Sequence, residues 1–370
     1  MWMIDVAPPA TFTIVERATK RWSDRPSGHA LYLHTSGTTS RPKLVGLTAN
    51  NLLSSASAVT ATLRLSPGDR CLSVMPLFHI HGLVGVLLAS VVAGASVDIV
   101  PRYDPFTYRR QLTQPDITWT SAVPSMYGAM LSRRGVRPVT GSRLRLLRSS
   151  SAPLAPITWR ALEDTFGCPV VNAYGMTEAA HQMTSNPLPP GERRVGTVGP
   201  GAGAEVAVLP DGEVVVRGPG VMREYLSPSS ANDSAWHDGW FRTGDLGSLD
   251  GRGYLTLHGR IKEIINVGGE KVSPYEVEAV LLDHPSVVDA VAFAAPDRIR
   301  GEQVRVVVVA RGGVGSVEEI DLRRFVADRL AAFKVPRRII TLAEIPVGPT
   351  GKVQRSRMSA LVGLGDETAS

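Results

Sequence analysis

The sequence predicts an α/β fold: doubly wound sheet layers with a small β-barrel or antiparallel-sheet subdomain, plus a small α+β C-terminal domain. Three observations predict it. From Leu31 to Ala173, strand-length apolar runs alternate with helix-length amphipathic stretches, as in a sheet covered by helices on both faces. From about Val195 to Leu257 the texture changes to short β-rich runs split by Gly-Pro, Asp-Gly and Gly-Arg-Gly, which suits a compact β unit. Beyond Lys262, strands and helices mix in a new order.

Taken in order, residues 1–28 form a polar lead-in with one amphipathic stretch, Phe12 to Ala18, closed by Pro26-Ser27-Gly28. Leu31-Tyr32-Leu33 reads as a strand, then a polar loop, then a second strand at Leu44 and Val45. Thr48 is the expected N-cap of a helix from Ala49 to Leu63. Strands are expected at 71–75, 95–100, 117–120, 144–148 and 169–173, with helices at 82–92, 104–113, 124–133 and 154–166 between them. The last region reads as strand 264–267, helix 274–282, strands 287–294 and 303–310, helix 318–331 and strand 338–342. The expected division is therefore a lead-in (1–28), a large domain (29–261, α/β to 194 and β-rich from 195) and a small C-terminal domain (262–370).

Composition narrows the classes. The 370 residues suffice for two domains and a substantial core, and no apolar run approaches the ~20 residues of a membrane span. Met1-Trp2-Met3-Ile4-Asp5 lacks the pattern of a secretory signal, so a cytoplasmic location is expected. Cys71 and Cys168 sit in apolar, strand-like surroundings without metal-ligand spacing and read as buried thiols in a reducing compartment. The net charge of +6 is spread over arginine pairs; it suits anionic ligands, and a solvated basic surface explains it equally. No nucleic-acid-binding pattern appears.

The chemistry begins at Thr35-Ser36-Gly37-Thr38-Thr39-Ser40-Arg41-Pro42-Lys43. Hydroxyls and backbone amides around Gly37, with Lys43 as a mobile positive charge, suit a polyphosphate; a solvated Ser/Thr turn is the plain alternative. The Gly-four-residues-Gly-Lys spacing of the common P-loop is absent. Asn172-Ala173-Tyr174-Gly175-Met176-Thr177-Glu178 follows a predicted strand end, where α/β sheets bind ligands. Tyr174 offers a flat face, Thr177 a hydroxyl and Glu178 a hard oxygen for Mg²⁺. Each alone is an ordinary loop residue.

Together these stretches resemble the adenylate-forming superfamily of acyl-CoA synthetases, luciferases and adenylation domains, and among them the oxalate–CoA ligases and other small-acid CoA ligases. The chain departs from the pattern at Leu44, where the family usually has glycine. The resemblance implies a phosphate loop at Thr35, Ser36, Gly37, Thr38, Thr39 and Lys43. It implies adenine flanked by Ser151, Ala152, Pro153, Asn172, Ala173, Tyr174 and Gly175. Thr177 is assigned to the α-phosphate, Glu178 to magnesium, and Asp245 with Arg260 to the ribose. It further implies a hinge at Lys262, a pantetheine passage at Gly268-Gly269, and a catalytic Lys352 in Pro349-Thr350-Gly351-Lys352 that neutralises charge as carboxylate and α-phosphate meet. Without it, Asp245 is a turn aspartate, Gly268-Gly269 a type II turn and Lys352 a surface lysine.

For the acid, His79, His81, Ser149 and His181 are the candidates, with Arg148 a further one. Polar groups converging there suggest a small acid whose second carboxylate needs partners. The activity implied is ATP-dependent ligation of a small carboxylic acid to CoA, with Mg²⁺. A carrier protein or amine as acceptor, and a non-catalytic nucleotide-binding subunit, are the alternatives. The family carries a longer segment before its phosphate loop, so a homo-oligomer or second chain covering that gap is expected, against a pared-down enzyme, half of a split enzyme or a non-catalytic relic.

Overall fold

The computed structural model describes residues 2–7, 11–17, 28–35, 43–131, 138–346 and 353–363. At the start, β1 (Trp2–Ala7) and β2 (Thr11–Arg17) pair as an antiparallel hairpin, which the reading of residues 1–28 as a polar lead-in missed. β3 (His29–Thr35) and β4 (Lys43–Thr48) form a second hairpin, with Thr35 opposite Lys43. It therefore frames the residues read as the phosphate loop.

The helix after β4 begins and ends where the sequence places it. α1 (Ala49–Leu63) is capped by Thr48, whose hydroxyl accepts from the Asn51 N–H at 3.1 Å while Asn51 Oδ1 accepts from the Thr48 N–H at 2.9 Å. This reciprocal box satisfies two otherwise orphaned donors. Thr48→Ala is expected to cost about 1 kcal/mol of stability, read as a lower urea midpoint at unchanged slope.

β5 (Arg70–Ser73) opens the central sheet. The predicted helix over 82–92 is instead a π-helix, His81–Leu88, that passes into a short α2 (Ala89–Val92). Close neighbours hold this wide turn. A Cβ on Gly82 would lie 2.4 Å from the Pro76 carbonyl oxygen, and one on Gly85 2.3 Å from His181 Nε2. π-turns of this kind gather at functional sites.

The sheet continues with β6 (Ser96–Ile99), α3 (Pro105–Leu112), β7 (Trp119–Ala122), α4 (Pro124–Leu131), β8 (Leu146–Ser149), α5 (Pro156–Phe166), β9 (Val170–Met176) and β10 (His181–Ser185). Its order is β10-β9-β8-β7-β5-β6, parallel except for β10. Alternate residues feed two cores, as the period of two requires. Cys71, Trp119, Leu146 and Val171 pack beneath α1, while Leu72, Leu147 and Val170 pack against α3, α4 and α5. Both cysteines are buried free thiols, as expected.

The amino ends of the parallel strands are stitched by Asp69, which is 3% exposed. Arg145 Nε and Nη2 donate to its two oxygens at 2.8 and 3.0 Å, and the Thr118 hydroxyl donates to it at 2.8 Å. Burial opposes ionisation here, but Arg145 and Thr118 outweigh it and hold this carboxyl below the usual aspartate range. The carboxyl ends are left for chemistry.

Next come β11 (Glu205–Val208), β12 (Glu213–Arg217), β13 (Tyr225–Ser227), β14 (Trp236–His237), β15 (Trp240–Leu249) and β16 (Leu255–Arg260). All but β13 make an open antiparallel sheet, and no closed barrel occurs among the described residues; β13 leaves to pair with β4. That exchange brings Tyr225 to Lys43.

The last region holds β17 (Ile265–Val267), β18 (Glu270–Val272), α6 (Pro274–Leu282), β19 (Val287–Asp297), β20 (Gly301–Ala310), α7 (Glu319–Ala327), β21 (Arg338–Leu342) and α8 (Met358–Leu361). Five strands form one sheet, ordered β18-β17-β20-β19 with β21 parallel to β20. α7 stops at Ala327, short of the predicted 331. The chain turns there so that Lys334 reaches Glu276, its Nζ 2.7 Å from both carboxylate oxygens. Among the described residues no helix is long and apolar enough to cross a membrane.

Candidate active site

Lys43 leaves the end of β4 with its ammonium 4.2 Å above the Tyr225 ring, a cation–π contact. The Tyr225 hydroxyl donates to Glu178 Oε1 at 2.9 Å. Burial lowers the Lys43 pKa, Glu178 pulls it back up, and Lys262 pushes it down further. Three predicted site residues, Lys43, Glu178 and Lys262, thus share one field. Tyr225 was not singled out in the sequence, because only the β13–β4 pairing puts it there. Glu178 is buried and offers one hard oxygen set. As a carboxylate it has the hard-oxygen chemistry that magnesium takes, and among the described residues no group of three or more metal-ligating side chains occurs.

A second cluster adjoins the first. The Tyr174 hydroxyl donates to Asp245, and Asp245 Oδ1 lies 3.0 Å from Arg260 Nε across the β15–β16 pair. Burial pushes the Asp245 carboxyl up from its usual range, with Arg260 and Tyr174 pulling it back. Burial, then Glu178, push the Tyr225 hydroxyl up and Arg260 pulls it back, so the two clusters lie within one another's electrostatic reach. Thr177 is half-buried beside Glu178, Ala173 is buried, and Gly175 is obligatory, since a Cβ there would lie 1.6 Å from the His181 carbonyl oxygen. Asn172 Nδ2 donates to the Thr197 carbonyl at 3.0 Å, while its Oδ1 is buried without a partner among the described residues.

Ser151, Ala152 and Pro153 line a large cleft together with Arg260, Lys271 and Arg355. One layer beneath Ser151 lies the third cluster, at the carboxyl ends of β7 and β8. His81 Nδ1 is 3.0 Å from Ser151 Oγ and its Nε2 is 2.7 Å from Ser121 Oγ. The ring stacks on His181, centroids 4.9 Å apart and planes 18° apart. His79 instead packs half-buried against the exposed Phe78 ring, 4.6 Å between centroids. Ser149 is fully buried, and its hydroxyl and those of Ser150 and Ser73 have no partner among the described residues.

Arg148 lies at the centre of this cluster, 0% exposed. Its Nη2 donates to Gln182 Oε1 at 3.1 Å and its Nη1 to Ser121 Oγ at 3.3 Å; its Nε has no partner among the described residues. No Asp or Glu among the described residues pairs with it, and burial pushes its pKa down to about 10. Burial, then Arg148, then His81 hold His181 well below its usual pKa, so His181 is neutral at pH 7. The cluster therefore holds the Arg148 guanidinium with no carboxylate paired to it among the described residues.

The glycines of the expected pantetheine passage sit at the β17–β18 turn. Gly268 and Gly269 both have positive φ, 63° and 95°, which is a type I′ turn rather than type II. The Gly268 N–H donates to the Arg300 carbonyl at 2.8 Å. Ser36, Gly37, Thr38, Thr39 and Lys352 lie outside the described residues.

Comparison with known proteins adds to this geometry. Residues 5–226 match the model of the AMP-binding enzyme family and residues 276–352 that of the AMP-binding enzyme C-terminal domain. An oxalate–CoA ligase of Arabidopsis thaliana is 45% identical over 93% of this chain and 69% of its own length. An oxalate–CoA ligase of Saccharomyces cerevisiae is 42% identical over 90% of this chain and 63% of its own. The chain thus spans about two thirds of these relatives' length. Among solved structures, ATP-bound MatB from Rhodopseudomonas palustris superposes with a TM-score of 0.83 at 31% identity, covering 93% of this chain and 70% of that one.

Proposed function

This chain belongs to the AMP-binding enzyme family, and from that premise we propose that it is an ATP-dependent acid–CoA ligase acting on a small dicarboxylate, oxalate or a close relative. One carboxylate oxygen attacks the α-phosphorus of ATP, pyrophosphate leaves, and an acyl-adenylate remains. The thiol of CoA then attacks the acyl carbon, losing its proton, and AMP leaves.

The chain's own residues bind and orient. Tyr174 and Asp245 hold the nucleoside, with Arg260 paired to Asp245 and opposing the rise that burial imposes on its carboxyl. Lys43 and Thr177 face the phosphates, and Glu178 would hold Mg²⁺, which supplies charge neutralisation for the leaving pyrophosphate. Lys352 is assigned the reacting carboxylate, Lys262 the hinge between the β-rich sheet and the C-terminal sheet, and Gly268 and Gly269 the thiol's approach. Positioning and charge stabilisation carry such a reaction.

The observation that carries the acid class is Arg148. A buried cation without an ionic partner is costly, and a second carboxylate on the substrate is the complement that relieves it. The unpartnered Ser149 and Ser150 hydroxyls add donors for the same group. A long apolar acid finds no such complement.

The test is carboxylate-dependent ATP–pyrophosphate exchange with oxalate, malonate, acetate, an aromatic acid and a medium-chain fatty acid. Oxalate or malonate is expected to exceed acetate by roughly tenfold or more. Silence across the panel would overturn the ligase reading, and a preference for the fatty acid would overturn the dicarboxylate one.

A further inference from the structure

We infer that Gln182 is the specificity-determining residue of the acid pocket, because it holds Arg148 in place without neutralising it; this rests on the dicarboxylate reading above. Gln182 is 1% exposed and its amide can face only one way. The Thr62 hydroxyl donates to the Ala58 carbonyl at 2.7 Å, so towards Gln182 it only accepts. The Ala202 carbonyl, 3.0 Å away, likewise only accepts. The Gln182 NH₂ group is therefore committed to these two, and its oxygen is left for Arg148. The Gln182 N–H, donating to Ser55 Oγ at 3.0 Å, fixes the main chain as well.

The other polar neighbours of the guanidinium are Ser121 and His81, and burial, then Arg148, then His81 hold the nearby His181 well below its usual pKa. The Ser121 hydroxyl accepts from Arg148, and the His81 ring bridges Ser121 and Ser151 through its two nitrogens, 2.7 and 3.0 Å away. Orientation is thus fixed on every side while the charge is kept. A carboxylate in place of the Gln182 amide would occupy the same space, pair with Arg148 internally, and stay ionised beside it. The pocket would then repel a second anion instead of requiring one.

The experiment compares the parent, Gln182→Glu and Gln182→Met by pyrophosphate exchange with malonate and with propionate. In Gln182→Glu the malonate-to-propionate ratio of kcat/KM is expected to fall about a hundredfold. Gln182→Met removes the acceptor without adding charge, and should raise the malonate KM about tenfold with little change in kcat. A ratio within threefold of the parent in the Glu variant overturns the role of Gln182, as does an equal loss with both acids. Should the Glu variant fail to fold, the Met variant decides alone, and a malonate KM within twofold of the parent overturns the proposal. A parent that prefers neither oxalate nor malonate over the monocarboxylates sinks the dicarboxylate reading itself, before any variant is made; where only oxalate is preferred, it replaces malonate in the comparison.

Discussion

Arg148→Met should abolish the preference for dicarboxylates, lowering their kcat/KM by about 10²–10³-fold, as loss of a buried partner for an anion does. The same substitution should leave the thermal midpoint unchanged or raise it. Arg148 is fully buried and faces only neutral acceptors, so exchanging it for an apolar side chain of similar reach removes a desolvation cost. Activity and stability are expected to move in opposite directions, which separates a binding role from simple unfolding. Retained preference, or a loss of activity matched by a loss of fold, would contradict the assignment. Monocarboxylates, which do not use the charge, serve as the internal comparison.

Arg355→Met should act on the fold instead, costing about 3–5 kcal/mol. Arg355 Nε lies 3.2 Å from Glu263, and its Nη1 donates to Glu278 and to the Ala292 carbonyl. All three side chains are nearly buried, at 10%, 13% and 12% exposure for Arg355, Glu263 and Glu278. Removing the guanidinium strands two carboxylates together. Burial already pushes Glu278 up to about 7, with Arg355 pulling it back; without Arg355 it rises further. A carboxyl raised in the folded state favours folding at acidic pH, and that contribution is lost as pH rises through its folded value. The loss in Arg355→Met should therefore be larger at pH 8 than at pH 6, measured by urea midpoints. Equal losses at both values, or a loss below about 1 kcal/mol, would refute it.

Much of this was legible beforehand, for reasons that differ between elements. α1 announced itself through Thr48 and an apolar stripe of the right period, both local properties. The central sheet followed from alternation, because strands buried on both faces must be apolar throughout. The π-helix was not legible. His81–Leu88 is apolar on nearly every side, so its sequence suits any helix, and only the fold shows that Pro76 and His181 leave no room for a Cβ at Gly82 or Gly85. At the site, Tyr174, Asp245, Arg260, His81 and His181 were nameable because motifs fix them in sequence. Tyr225, Ser121 and Gln182 were not, since each joins through strand pairing alone. For Gln182 the one available signal was its place directly after His181.

The two rims of the central sheet have separate employments. Asp69, Thr118 and Arg145 fasten the strands where they enter, and Ser121, Arg148 and Ser149 present chemistry where they leave. An engineer seeking a hardier catalyst would thus reinforce the entry rim, and leave the exit rim alone while the selectivity proposed for it is under test.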